Sequence, residues 1–254
     1  MIKVLNKTFD VLEYVAYCRG KAVLPQEVVK ALNLNQPTCM RIMKELTELG
    51  YLEQLGPRKG YVLGPSAFYP GNGEHYREQL YQAAAPNIES CARKIGQSVL
   101  LATRHGFWRY ILCHYNYNAR MPVNCALPRY DDLYVTASGR ALMAFAPANE
   151  LADILKKKGL PTAVEWPAAA ANPSALEREL AKIRRAEKVT WAAGMSPQLD
   201  VVAFPLQVRG EVIAAIGSSW LAEDRERIGA ECIRCVGETA AQISALLNEG
   251  MAGG

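Results

Sequence analysis

Apolar residues recur at three- and four-residue steps through the first third of the chain and alternate with polar ones in several short stretches beyond it. The first helical pattern covers about Lys7 to Arg19, with Phe9, Leu12, Val15 and Ala16 as its apolar stripe and Gly20 as its stop. "KAVLP" is a short connector, and Pro25 opens a second helix, "QEVVKALN", where its missing N–H costs little. Asn35 is placed to cap a third helix, with Pro37 in its first turn and Gly50 at its end. "YLEQLG" and "GYVLG", joined by "PRK" between glycines, then read as a hairpin. Three helices and a hairpin thus occupy about 65 residues.

"GPSAFYPGNG" breaks the pattern near residue 70. "EHYREQLYQAAAPNIESCARKIG" follows as a helical stretch interrupted by Pro86, read as two helices or one that kinks. "SVLLATR" and "FWRYILCHY" are strands around a tight turn, and "MPVNCAL" is a candidate third strand. "TASGRALMAFA", "ANELADILKKKG" and "PSALERELAKIRRAEK" are helical. "LDVVAFPLQVRGEVIAAIGSSWL" reads as two strands around Arg209-Gly210, with Pro205 marking an edge or a bulge. A long helix from about Asp224 to Asn248 closes the chain. Strands, then helices, then strands again suit a multi-domain α+β chain better than a parallel βαβ array.

Composition narrows this only a little. With 254 residues, half of them hydrophobic and 21% charged, the chain has material for two cores. No apolar run reaches membrane length and no cleavage-site pattern opens the sequence, so the expectation is a soluble, cytoplasmic protein without membrane contact. The seven cysteines are scattered through apolar surroundings, as reduced core thiols are. Cys232 and Cys235 have C-x-x-C spacing, but the helical pattern continues through them and no second ligand pair accompanies them. No metal site and no cofactor is expected.

Charge matters more by position than by sum. The net charge is +4, and residues 1–70 hold nine lysines and arginines against six acids. On a helical wheel, Cys39, Ile42, Met43, Leu46 and Leu49 form the buried stripe of the third helix, and Met40, Arg41, Lys44, Thr47 and Glu48 the outer face. Gln36 and Thr38 sit on its N-terminal turn. A helix docked in a major groove needs this layout: bonding groups on the first turns, an apolar back. Arg41 suits guanine or phosphate, Met40 suits a thymine methyl, and Arg58 and Lys59 at the hairpin tip suit the adjacent backbone or minor groove. Each residue alone also fits a solvated helix face; it is their combination that points to double-stranded DNA.

The same stretch resembles the winged helix–turn–helix of IclR-type bacterial transcriptional regulators. The residues that carry the likeness are Pro37-Thr38-Cys39-Met40-Arg41 and the closing Tyr61-Val62-Leu63-Gly64. Pro37 stands where the family has a serine, which removes one hydroxyl contact. The likeness continues through "TASGRALMAFAPANEL" and "VVAFPLQVRGEVIAAIGSSW" and so covers nearly the whole chain. It implies a DNA-binding domain over 1–70, a linker helix over 71–86 and, over 87–254, a GAF-like effector-binding domain with an antiparallel sheet. It further implies a homodimer or homotetramer, and a small-molecule effector held by Thr136, Ala137, Ser138 and Gly139, by Val201 and by Ser219. Trp191 stands near where the family has an acid, and Gly217 where it has a serine. A pocket changed in this way favours an aromatic or otherwise apolar acid.

No catalytic residue is expected: H-E-x-x-H, Gly-x-Ser-x-Gly, P-loop and Gly-x-Gly-x-x-Gly patterns are all absent. Ser138 and Gly139 instead begin a helix whose N–H groups suit an anion. Two alternatives stand beside the effector-responsive regulator of a neighbouring catabolic operon. One is a thiol-based redox sensor using Cys39, Cys113 or Cys125; the other is a ligand-binding or enzymatic domain with an appended winged helix.

Overall fold

The computed structural model describes residues 3–18, 20–67, 78–121, 129–192 and 198–250. They divide into two compact units, one holding the residues up to 67 and the other those from 78 onward.

In the first unit, α1 (Lys3–Tyr17), α2 (Pro25–Leu32) and α3 (Gln36–Glu48) pack around Val11, Val15, Val28, Cys39, Ile42, Met43 and Leu46, all nearly water-free. The buried stripe of α1 is Val11 and Val15, with Leu12 partly covered, whereas Phe9 and Ala16 face water. Phe9 lies two positions from Val11, about 200° around the helix, so α1 carries two apolar stripes and packing chose the other one. Leu49 is also a correction: it caps α3 beyond its last turn and stays 64% exposed.

β1 (Leu52–Gln54) and β2 (Tyr61–Leu63) form the antiparallel hairpin. "KAVLP" is more than a connector, because Val23 and Tyr61 exchange two backbone bonds of 2.9 Å and tie the hairpin to the segment before α2. Gly64 closes the hairpin against Gly50: a Cβ there would lie 2.3 Å from the Gly50 carbonyl oxygen. Glycine is required at that position by close approach.

The second unit is built on one six-stranded antiparallel sheet in the order β5-β4-β3-β8-β7-β6. Its strands are β3 (Ser98–His105), β4 (Trp108–Asn116), β5 (Arg129–Tyr130), β6 (Val189–Ala192), β7 (Leu199–Val208) and β8 (Glu211–Leu221). One face carries Val99, Leu101, Val202, Leu206 and Ile216 and is covered by α4 (Glu78–Ile95) and the closing α8 (Arg225–Gly250). The other face carries Ala102, Ala203 and Ala215 and is covered by α5 (Ala137–Ala144). Behind α5 lie α6 (Ala148–Lys158) and α7 (Pro173–Ala186). Register shifts at Leu101/Ala102 and Leu206/Gln207 are bulges, which sharpen the twist of the sheet. Pro205 lies just past the last pairing of β6 with β7, so its missing N–H breaks no ladder.

α4 runs unbroken through Pro86. The side-chain amide of Asn87 donates to the Ala83 carbonyl at 2.8 Å, in the turn whose hydrogen-bonding the proline disrupts. β6 was not anticipated as a strand. Most of the expected strand "MPVNCAL" lies outside the described residues.

Candidate functional site

In the first unit, Asn35 caps α3 by accepting a 2.8 Å bond from the Thr38 N–H. Gln36, Met40, Arg41 and Lys44 project from the exposed side of α3, and Thr38 is half-buried beside the cap. Lys44 pairs with Glu48 at 3.5 Å, but both are well exposed, so the pair is weak and the ammonium stays available. Arg58 and Lys59 stand exposed at the hairpin tip. The Lys59 N–H bonds back to the Gly56 carbonyl at 3.1 Å, and Arg58 adopts a left-handed φ of 62°. The five basic or polar groups at Gln36, Arg41, Lys44, Arg58 and Lys59 therefore have few ties that would hold them back from a phosphate or base edge.

In the second unit, antiparallel register gathers three of the predicted effector residues into one row. Trp191 is opposite Val201, Val201 opposite Ser219, and Ser219 opposite Ser98. The side chain of Trp191 lies outside the described residues. In the neighbouring row, Ala203, Gly217 and Leu100 are opposite one another. A Cβ on Gly217 would meet Ser138 Cβ at 3.7 Å and Leu100 Cδ1 at 3.5 Å, so this is the face toward α5. Glycine there keeps a gap that a serine would narrow.

The start of α5 is held tightly. Thr136 donates its hydroxyl to the Asp132 carbonyl and accepts the Gly139 N–H, both at 3.1 Å. That leaves the hydroxyl as a helix cap more than a ligand group. Gly139 is fixed by close approach, since a Cβ would lie 2.6 Å from the Leu133 carbonyl oxygen. Ala137 and Ser138 occupy the first helical positions, where N–H groups have no carbonyl partner inside the helix. Ser138 is 4% exposed, with its Cβ toward Gly217.

Sequence reasoning missed the residues that position this turn. Arg109 on β4 makes a two-pronged pair with Asp132, at 2.7 and 2.5 Å, and lies over the Tyr130 ring. The Asp132 backbone carbonyl meanwhile accepts from Val135 and Thr136. Arg140 donates to the Tyr134 and Glu165 carbonyls and stacks on Trp166, 4.2 Å from the ring centroid. Burial lowers its pKa to about 10, which still leaves it charged at neutral pH. An arginine inside an apolar strand or helix, as in "FWRYILCHY" and "SGRALMA", was the signal. Asp200, an acid in the late strand, points to the opposite face and is bound by Arg225 at 2.6 and 2.7 Å.

The cysteines are packed as core. Cys39 has no exposure and lies 3.8 Å from the Met43 sulfur, and burial raises its pKa. Cys113 is pushed up to about 12 by burial, so its thiol stays protonated and weakly nucleophilic. Cys125 lies outside the described residues. Cys232 and Cys235 belong to the core under α8, where Cys91 and Cys235 sulfurs are 3.5 Å apart. Among the described residues no three metal-ligating side chains converge, and no helix is long and apolar enough to cross a membrane.

Comparison with known proteins agrees with both units. Residues 4–56 match the IclR helix-turn-helix domain, and residues 75–245 match the bacterial transcriptional regulator IclR C-terminal domain. The HTH-type transcriptional regulator BhcR of Paracoccus denitrificans is 23% identical over 223 residues, 86% of this chain and 77% of that one. The transcriptional repressor IclR of Escherichia coli is 20% identical over 190 residues, 72% of this chain and 67% of that one. Among solved structures, an IclR homolog from Microbacterium hydrocarbonoxydans complexed with 4-hydroxybenzoate superposes with a TM-score of 0.72 at 23% identity, covering 97% of this chain and 99% of that one. The IclR of Thermotoga maritima gives 0.66 at 25% identity, covering 98% and 100%. With a DNA-binding helix-turn-helix unit and a ligand-binding C-terminal unit both matched, this chain belongs to the IclR family of bacterial transcriptional regulators.

Proposed function

We propose that this protein is an effector-responsive regulator of a neighbouring catabolic operon, acting as a homodimer or homotetramer on operator DNA. In this reading α3 enters the major groove, where Gln36, Thr38, Met40 and Arg41 read bases and Lys44 meets phosphate. Arg58 and Lys59 grip the flanking backbone. The observation that carries it is the pairing of an exposed, polar-fronted α3 with a basic hairpin tip in one small unit. Oligomerisation is supported by Val4, Leu5 and Phe9 on α1, each about half exposed, which is an apolar face suited to a second copy.

The effector is a small aromatic acid. Its carboxylate meets the Ala137 and Ser138 N–H groups at the start of α5, with the Ser138 and Ser219 hydroxyls alongside and Gly139 and Thr136 shaping the turn. Val201 supplies apolar wall, and Trp191 stands opposite it in the sheet register. A relative binding 4-hydroxybenzoate speaks for the same ligand class. The test is a thermal-shift series of aromatic acids, sugar acids and short keto acids on the full chain. Stabilisation by the aromatic set is expected; stabilisation by the small polar acids alone contradicts the reading.

A further inference from the structure

The sheet face under α5 carries a histidine held by a buried serine. His114 on β4 is opposite Leu100, in the row that continues through Gly217, and its Nε2 lies 2.8 Å from Ser98 Oγ. That bond fixes His114 on the α5 side of the sheet, because Leu100 faces Ser138 there. Ser98 itself is 2% exposed and serves as the holder, whereas the ring is only half-buried. No second bond to the imidazole is made among the described residues. A neutral imidazole has one donor and one acceptor nitrogen, so a ring engaged at Nε2 keeps Nδ1 for a further partner. Burial lowers the pKa of the ring and keeps it in that neutral form.

We infer that His114 is a specificity-determining residue of the effector pocket, contacting a second polar group of the effector, a hydroxyl, at the end away from its carboxylate. This rests on the aromatic-acid reading above and deepens it. β4 and β8 are two strand spacings apart, roughly 10 Å. That span suits one aromatic ring with a polar group at each end and a hydrogen bond to each. Leu100 lies between as apolar floor, its Cδ1 3.5 Å from where a Cβ on Gly217 would stand. Ser98 is a positioning residue: where its hydroxyl accepts from Nε2, Nδ1 is left to accept from the ligand hydroxyl, and where it donates to Nε2, Nδ1 is left to donate. Such a pair tolerates a phenol in either role.

Calorimetric titration of the full chain with benzoate and with 4-hydroxybenzoate tests this directly. The wild type is expected to prefer 4-hydroxybenzoate by about tenfold, the worth of one good hydrogen bond. His114→Phe should abolish that preference while leaving benzoate affinity within about threefold, and His114→Asn, which retains a polar group near Nδ1, should restore part of it. Ser98→Ala should reduce the preference by freeing the ring. An unchanged preference in both His114 variants, or an equal loss of both acids, overturns the inference and leaves the aromatic-acid reading standing. A wild type that binds neither acid overturns that reading and the inference with it.

Discussion

The Arg109–Asp132 pair anchors the turn before α5 by charge. Arg109 is 4% exposed, and Asp132 is its bidentate partner while its backbone supports the turn before α5. Asp132→Ala leaves a buried guanidinium without its counter-charge, at a cost of about 3–5 kcal/mol in unfolding free energy by chemical denaturation. A loss no larger than that of an exposed carboxylate removal contradicts this role. His114 adds a pH term. Its folded pKa lies below the ordinary 6.5, so below that value the unfolded chain takes up a proton that the native ring refuses. Stability contributed by the neutral ring is therefore present above about pH 6.5 and lost as pH falls toward the depressed native value. The His114→Asn variant should show a flatter decline in melting temperature between about pH 7 and pH 5; parallel curves would contradict it. Both residues sit inside apolar strands, where their types were visible in the sequence. Their partners, 23 and 16 positions away, are set by sheet register, which no local pattern contains.

The helices and the hairpin were legible because each carries its own punctuation. Asn35 and Asn172 cap α3 and α7, Pro25 opens α2, and glycines bound the hairpin tip. What escaped was decided by packing between elements: which of two apolar stripes α1 buries, whether Pro86 stops a helix already packed on the sheet beside α8, and the pairing of "VTWA" onto β7. Gly64 shows a sequence signal whose cause is tertiary. Its place in the closing Tyr-Val-Leu-Gly reflects contact with the backbone of Gly50 and Leu52. Gly64→Ala should force those backbones apart and destabilise the first unit by about 1–3 kcal/mol, read as an earlier denaturation of that unit with the second unit's transition unmoved. Coincident unfolding with the wild type would show that the hairpin has slack. At the tip, Arg58→Ala should lower the salt slope of DNA affinity by about 1 without changing sequence preference. An unchanged slope would remove Arg58 from the phosphate contacts.

In the whole molecule, two units of different chemistry lie on one chain: a small one with polar and basic groups on α3 and its hairpin, and a larger one with serine hydroxyls, the start of α5 and a histidine on one sheet face. The family's regulator identity was readable from the motifs of both, because Gly64, Gly139 and the α3 pattern meet constraints that leave little choice of residue. The ligand and the operator were not, since both depend on how side chains around those fixed points meet a partner, which no local pattern contains. The most direct measurement of the central claim is a titration of a labelled fragment from upstream of the protein's own gene, beside a scrambled fragment of equal length, at several salt concentrations. The account predicts binding about a thousandfold tighter to the upstream fragment, falling steeply with salt and weakened by about 1–3 kcal/mol in Arg41→Ala. Equal affinity for the two fragments would contradict it.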